Sequence, residues 1–183
     1  MITKEEIYKV IPKKILIEVI ESFYLQLFNG VHGIDHWTRV LQNGIILCDK
    51  NPNLNKNIII AFSFFHDVGR TREDDEPIHG YNGGRMLLKY KYKINLTKEE
   101  IDKCYEACVD HTHTRHHKDP QIAACWDSDR LDLYRVGVMP DVDYLNLEES
   151  KEDDIIKEAA TRSWDKRPDW VIDLIQDLEL GYD

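Results

Sequence analysis

A continuous apolar segment near the middle of the chain dominates the pattern of hydrophobic and polar positions. The eight residues from Ile58 to Phe65 are all apolar or small, and a helix with no polar stripe is buried on every side. The segment runs directly into the adjacent pair His66 and Asp67, followed by Gly69 and Arg70. Because a buried charge without a partner is strongly disfavoured, we expect the pair either to hold a divalent cation or to surface, with Asp67 bonded to a loop amide.

Apolar stripes at helical spacing, with capping residues beside them, predict helices along the rest of the chain. We predict helices before Pro12, over residues 13–27, from His36 (capped by Asp35) to about residue 48, over His79–Tyr90, after the capping box of Thr97 and Glu100, from Pro120 (capped by Asp119), and over residues 151–163 and 168–180. No segment requires a strand. The prediction is an all-α bundle that forms a single domain over residues 1–183.

The charge balance narrows the range of partners. The chain has 24 basic and 34 acidic residues, which give a formal charge of −10, so we expect no nucleic-acid groove binding. No apolar run approaches the ~20 residues that span a bilayer, and no secretory signal is visible, so we expect no membrane association and a cytoplasmic location. The four cysteines, none in a close CxxC pair, are typical of small buried residues in a reducing compartment.

Histidines are concentrated in one part of the chain. All eight fall between His32 and His117, and metal sites draw histidines together in this way. Six potential ligands lie on or beside the apolar faces of five predicted helices or helix ends: His36, His66, Asp67, His79, His111 and Asp129. The apolar stripe of the preceding helix continues to His111, so we expect His111 rather than His113 to face inward. The mixed imidazole and carboxylate set suits one or two ions of Mn, Fe, Co, Ni or Zn.

The order of these residues resembles the HD-domain superfamily of metal-dependent phosphohydrolases. That superfamily is defined by a histidine, a His-Asp pair and a distant aspartate, which here are His36, His66 with Asp67, and Asp129. The segments DHWTRV, HDVGR and SDRLD resemble its three local motifs, within a core of residues 31–138. The resemblance implies an HD-type helical bundle with the metal site in its core. It leaves both ends of the chain unmatched, and we expect residues 139–183 to form a C-terminal helical extension.

The two-metal members of that superfamily have two further histidines, which His79 in HGYNGG and His111 resemble. The resemblance implies that His36, His66, Asp67 and Asp129 hold one ion and that Asp67 bridges to a second ion on His79 and His111. It implies that a metal-activated hydroxide hydrolyses a nucleotide or another small phosphate ester. The HD-GYP pattern adds an adjacent histidine and a GYP tripeptide, which are missing after His111, so cleavage of cyclic di-GMP is not implied.

Several other polar residues have two interpretations each. Arg70 is a candidate for binding a substrate phosphate, or it pairs with the acidic run after it. His32 is a candidate for facing the phosphate or donating a proton, or it bonds to loop backbone. His113 belongs to a solvated loop at the rim of the site, with a substrate contact as the alternative. Asp127 is expected to be a helix-surface acid, with hydrogen bonding to a metal ligand as the alternative, and we expect Arg130 to be structural.

The leading hypothesis is a phosphohydrolase that acts on a small-molecule phosphate, with Asp67 indispensable and with Arg70 and His32 assisting. One alternative is an HD-superfamily di-iron oxygenase that uses the same six ligands. Another is a non-catalytic nucleotide-sensing module with a structural metal site, although structural zinc sites usually include cysteine. Trp164 and Trp170 lie in helical stretches of the acidic C-terminal region, where they could support a homodimer or simply pack internally.

Overall fold

The computed structural model describes residues 2–165 and 167–181. All regular secondary structure within these ranges is helical. The α-helices are α1 Lys4–Val10, α2 Lys13–Glu21, α3 Ile34–Lys50, α4 Lys56–Phe65, α5 His79–Tyr90, α6 Lys98–Asp110, α7 Pro120–Arg130, α8 Asp153–Arg162 and α9 Asp169–Asp177. Short 3-10 helices cover Leu133–Val136, Val142–Tyr144 and Glu149–Lys151. The predicted all-α class is confirmed. Within the described ranges, no helix has the length and apolar character needed to cross a membrane.

Helix α4 lies at the centre of the bundle. Every residue from Ile58 to Phe65 is buried, as the unbroken apolar pattern predicts. The helix packs against α1, α2, α3, α5, α6 and α7. Full burial of a large aliphatic or aromatic side chain contributes about 1.5–3 kcal/mol, so α4 supplies a large share of the core. Its carboxyl end delivers His66 and Asp67 into the interior.

Helix α5 approaches its neighbours through glycines. A Cβ at Gly83 would lie 2.2 Å from the carbonyl oxygen of Phe65, at the end of α4. A Cβ at Gly80 would lie 2.3 Å from the carbonyl oxygen of Cys108, at the end of α6. No side chain fits at either position, so the two glycines allow backbone-to-backbone packing that places His79 beside the ends of both helices.

Local capping signals correctly predict where several helices begin. Thr97 and Glu100 form the capping box of α6, and Asp119 caps α7 ahead of Pro120. Helix α5 has the predicted bounds, and α8 and α9 lie within the predicted C-terminal helical stretches. All four cysteines are buried free thiols, as expected from their apolar settings.

The predicted end of α2 is wrong. The helix stops at Glu21 rather than near residue 27. The hydroxyl of Ser22 donates to the carbonyl oxygen of Val19, and the chain then leaves the helix axis. Phe23 is thereby buried against Trp37, with ring centroids 5.0 Å apart. Tertiary packing of an aromatic ring has overridden the local helical pattern.

The predicted start of α3 is also wrong. The N-cap is Gly33, and Asp35 lies inside the first turn. The carboxylate of Asp35 is held by the guanidinium of Arg167, so it is not available to cap the helix. His36 consequently lies in the first turn of α3, as predicted, although the helix begins two residues earlier.

Asp127 is not the helix-surface acid that the sequence suggested. Its side chain is fully buried and accepts hydrogen bonds from the backbone N–H groups of Asn146 and Leu147, at 2.9 and 2.8 Å. The hydroxyl of Ser150 also donates to it, at 2.6 Å. Asp127 therefore anchors the segment that follows the second 3-10 helix onto α7.

Replacing Gly83 by alanine is expected to destabilise the fold. Alanine is favoured in a helix by about 1 kcal/mol, but overpacking a close-packed interior costs about 1–3 kcal/mol, and here the clash is with backbone that cannot rotate away. We expect the free energy of unfolding to fall by about 1–2 kcal/mol in urea denaturation. Gly181→Ala is the matched control, because no described atom lies within 4 Å of a Cβ there. Equal stability of the two variants would contradict the close approach of α5.

Candidate metal centre

The six side chains that the sequence selects as ligands lie together at the ends of five helices. They form two groups in which the ligand atoms lie within 4.8 Å of one another: His36 with His66 and Asp129, and Asp67 with His79 and His111. Five of the six are buried, and Asp129 is partly exposed. Each group can hold a metal ion.

Asp67 stands between the two groups. Its Oδ2 lies 3.4 Å from Nε2 of His36 and 3.6 Å from Nε2 of His66. Its Oδ1 lies 3.3 Å from Nε2 of His79 and 3.6 Å from Nε2 of His111. The two oxygens of one carboxylate thus face different histidine pairs, which is the placement that a bridging carboxylate requires.

Hydrogen bonds at Nδ1 orient all four imidazoles. These bonds join His36 to Oδ2 of Asp132 (2.7 Å), His66 to O of Phe62 (3.1 Å), His79 to O of Glu76 (2.5 Å) and His111 to O of Cys108 (2.7 Å). Carbonyl and carboxylate oxygens accept, so each Nδ1 carries a hydrogen, and each ring turns Nε2 toward the centre, where it can bind a cation through its lone pair once it is deprotonated. Ligand histidines in metal sites are oriented by the same kind of bond.

The two carboxylates are held ionised by their surroundings. Burial by itself raises the pKa of Asp67, but the histidines around it and Arg70 outweigh burial and hold this pKa well below its usual range. At Asp129 burial is likewise outweighed by His36 and the neighbouring histidines, so its pKa is also lowered. Both groups therefore present anionic oxygen, the form that binds a cation.

Within each histidine pair one pKa is raised and the other is lowered. Burial lowers the pKa of His66 to about 3. At His36 burial is outweighed by hydrogen bonds to carboxylates, and the pKa rises to about 9. In the second pair the pKa of His111 is raised by its bond to Asp67, against burial, while burial lowers that of His79. The raised pKa of His36 favours a proton on that ring in the absence of an ion, and a bound cation would displace this proton.

Asp132, which sequence reasoning missed, is a buried carboxylate behind His36. It accepts from Nδ1 of His36 at 2.7 Å and from Nε of Arg39 at 2.6 Å, and the hydroxyl of Ser163 donates to it at 3.1 Å. Asp132 stands three positions after Asp129 in the segment SDRLD, so the two acids lie about one helical turn apart. That spacing is the signal that could have identified it.

Arg70 lies against the second group rather than against the acidic side chains that follow it. Its Nε donates to Oδ1 of Asp67 at 3.0 Å, and its Nη2 lies 3.3 Å from Nε2 of His79. Its contact with the acidic run is a bond to the backbone carbonyl of Asp74. The positively charged guanidinium of Arg70 therefore contacts two potential ligand atoms of this group, an arrangement that the negative charge of Asp67 stabilises.

His32 and His113 differ in how firmly they are held. His32 is buried, and its Nδ1 lies 2.5 Å from Oε2 of Glu73, so its partner is a carboxylate and not the loop backbone. His113 is exposed, with Nε2 3.3 Å from the carbonyl oxygen of Pro77. Both line the cleft in front of the two ligand groups without belonging to either group.

An open cleft of about 650 Å³ leads from the surface to the two groups of potential metal ligands, which we call the metal groups. Asp67, His111 and Asp129 line it, as do Arg70 and Arg135. Its volume falls within the range of roughly 300–1,000 Å³ found for small-molecule sites. A small anionic molecule can therefore reach the ligand side chains.

Comparisons of the chain with protein-family models, with curated proteins and with solved structures found no match. What the site can bind is therefore inferred from the chemistry of its own side chains. Four imidazoles and two carboxylates can hold one or two divalent ions beside an open cleft.

The two groups predict the number of ions bound by each variant. At saturation we expect two ions per chain, one for each group, measured by elemental analysis and titration calorimetry. Asp129→Ala removes a ligand from one group and should leave one ion, whereas Asp67→Ala removes the carboxylate between the two groups and should lose bound metal. Asp173→Ala, which removes a surface ion pair with Lys4, is the control and should bind two. Two tightly held ions in Asp67→Ala would contradict the bridging placement.

Asp132→Asn is expected to weaken only the ion beside His36. The amide still accepts from Nδ1 but lacks the charge that raises the basicity of the ring, and losing such a partner costs about 10–100-fold in metal affinity. Calorimetry analysed with two sites should show this loss of affinity for one ion and an unchanged dissociation constant for the other. A uniform loss at both sites, or a loss matched by the surface variant Asp173→Asn, would mean that Asp132 does not act through His36.

Proposed function

We propose that the protein is a metal-dependent phosphohydrolase of the HD-domain superfamily that acts on a small phosphate ester. The placement of Asp67 between two oriented histidine pairs carries the proposal. Two adjacent cation sites at the floor of an open cleft suit phosphoryl transfer, in which the charge to be stabilised is spread over several oxygens.

The donor set fits divalent transition metals. One ion would be held by His36, His66, Asp67 and Asp129, and a second by Asp67 with His79 and His111. Imidazole nitrogen and carboxylate oxygen together suit Mn, Fe, Co, Ni or Zn. When bound, such ions lower the pKa of a coordinated water and polarise a phosphoryl oxygen.

Arg70 is the proposed phosphate-binding side chain. Its guanidinium lies at the edge of the cleft in contact with Asp67 and His79. A divalent ion on these two residues would supply the positive charge that Arg70 now provides. The planar guanidinium would then be available to bind two phosphate oxygens at once, which lysine cannot do.

His32 is the proposed proton acceptor of the cleft. Burial lowers its pKa, which favours the neutral ring. Nδ1 donates to the carboxylate of Glu73, which leaves the lone pair on Nε2. This arrangement favours taking up a proton at Nε2. The sequence suggested instead that His32 faces the phosphate or donates a proton.

Phosphate release by protein loaded with each candidate metal tests the proposal. Asp67→Ala should lose bound metal and all phosphatase activity, and retained activity would refute this mechanism. Oxygen consumption by iron-loaded protein, without phosphate release under any metal, would favour the oxygenase alternative. Tight nucleotide binding without either reaction would favour a sensing module.

Arg70→Lys is expected to keep the metal content and lower kcat/KM by about tenfold to a hundredfold, because the two-point contact with phosphate is lost. Arg72→Lys is the matched control, since Arg72 is an exposed neighbour that pairs with Asp74. An equal effect of the two substitutions would remove Arg70 from the phosphate site.

A further inference from the structure

One side of the metal cleft is lined by apolar side chains, which we call the apolar wall. Its members are Val31, Leu133, Val136, Val138, Met139 and Tyr144. Five of the six come from residues 133–144, which connect α7 to the C-terminal helices. The exposed fractions of Val136, Val138 and Met139 are 47%, 51% and 55%.

Such exposure is unusual for three neighbouring apolar residues at a functional cleft. Single exposed apolar side chains are common, but clusters of them mark sites that bind something. These residues share a cleft with Asp67 and Asp129, so anything that binds the metal groups through a phosphate also faces them.

Hydrogen bonds from two arginines hold the apolar wall in place. The guanidinium of Arg130 donates to the carbonyl oxygen of Tyr144 at 2.7 Å. The guanidinium of Arg135 donates to the carbonyl oxygens of Val31 and Asp132, both at 3.1 Å. The wall is thus tied to the end of α7 that carries Asp129. A surface held in this way can bind a ligand without first paying the entropy of ordering a loop.

The chemistry of this surface selects the organic part of the substrate. Valine and methionine side chains offer no hydrogen-bond partners to the hydroxyl groups of a polyol, which would also bury little apolar area there. A flat ring would bury apolar area there, and methionine sulfur packs well on aromatic rings. The guanidinium of Arg115 also lines the cleft and stacks 4.2 Å from the ring centroid of Tyr144, which adds a flat surface.

We propose that the apolar wall binds a flat, weakly polar ring, so that the substrate is a ring-bearing phosphate ester and not a polyol phosphate. This inference rests on the proposed phosphohydrolase function, and it adds Val138 and Met139 as specificity-determining residues. The phosphate would lie toward Arg70 and the metal groups, with the ring against residues 136–139.

Binding of two phosphonates to manganese-loaded protein tests the apolar wall without turnover. Phenylphosphonate should bind about tenfold more tightly than methylphosphonate in calorimetry, because the ring buries more apolar area. Val138→Ser should reduce the affinity for phenylphosphonate about tenfold and leave that for methylphosphonate unchanged. Val142→Ser is the matched control, because Val142 is 46% exposed in the same segment but does not line the cleft.

Equal affinities for the two phosphonates, or no binding of phenylphosphonate, would overturn the proposal. So would equal effects of Val138→Ser and Val142→Ser. Phosphate release from phenyl phosphate and glycerol phosphate at equal kcat/KM would leave the phosphohydrolase function standing and refute the ring preference. The expected phosphonate pattern without any phosphate release would support the apolar wall and refute hydrolysis.

Discussion

The arrangement of the core depends on the burial of one carboxylate among imidazole nitrogens. Asp67 is 1% exposed, and a charge in that position is tolerable only with close positive partners. Helix α4 brings it to the interior because every face of that helix is apolar. The same helix end carries His66, the glycines of α5 let His79 approach Asp67, and α3, α6 and α7 supply the other three ligands. The packing of the helices and the chemistry of the site therefore both require that the Asp67 carboxylate lies among the imidazole rings.

An acidic protein needs local positive charge to attract a phosphate. The formal charge of −10 repels anions at long range, but this field is screened within about 8–10 Å at physiological salt. Arg70, Arg115 and Arg135 line the cleft that reaches the ligand groups, and bound ions would add to their charge. The proposed binding of a phosphate would thus depend on the cleft rather than on the whole surface, in contrast to proteins that bind nucleic acids.

Features that depend on neighbours in sequence were predictable, and those that depend on distant partners were not. The burial of α4 and the caps of α6 and α7 follow from local pattern. The six ligands could be selected because imidazole and carboxylate groups are costly on apolar faces. Asp127 and Asp132 are also buried acids, but their partners include Asn146 and Arg39, far away in the chain. A carboxylate with an unknown partner resembles a surface residue, so sequence reasoning placed one wrongly and overlooked the other.

The hydrogen bonds at Nδ1 divide the histidines into two kinds. His66, His79 and His111 donate to carbonyl oxygens three or four residues earlier in the chain, so the turn that carries each ring also sets its direction. His36 instead depends on Asp132, ninety-six residues away. The three self-aligned rings belong to local units that could be moved to another helical scaffold with their orientation intact. The fourth ring reports whether the end of α7 has docked on α3, so metal affinity at that position measures the completion of the tertiary fold.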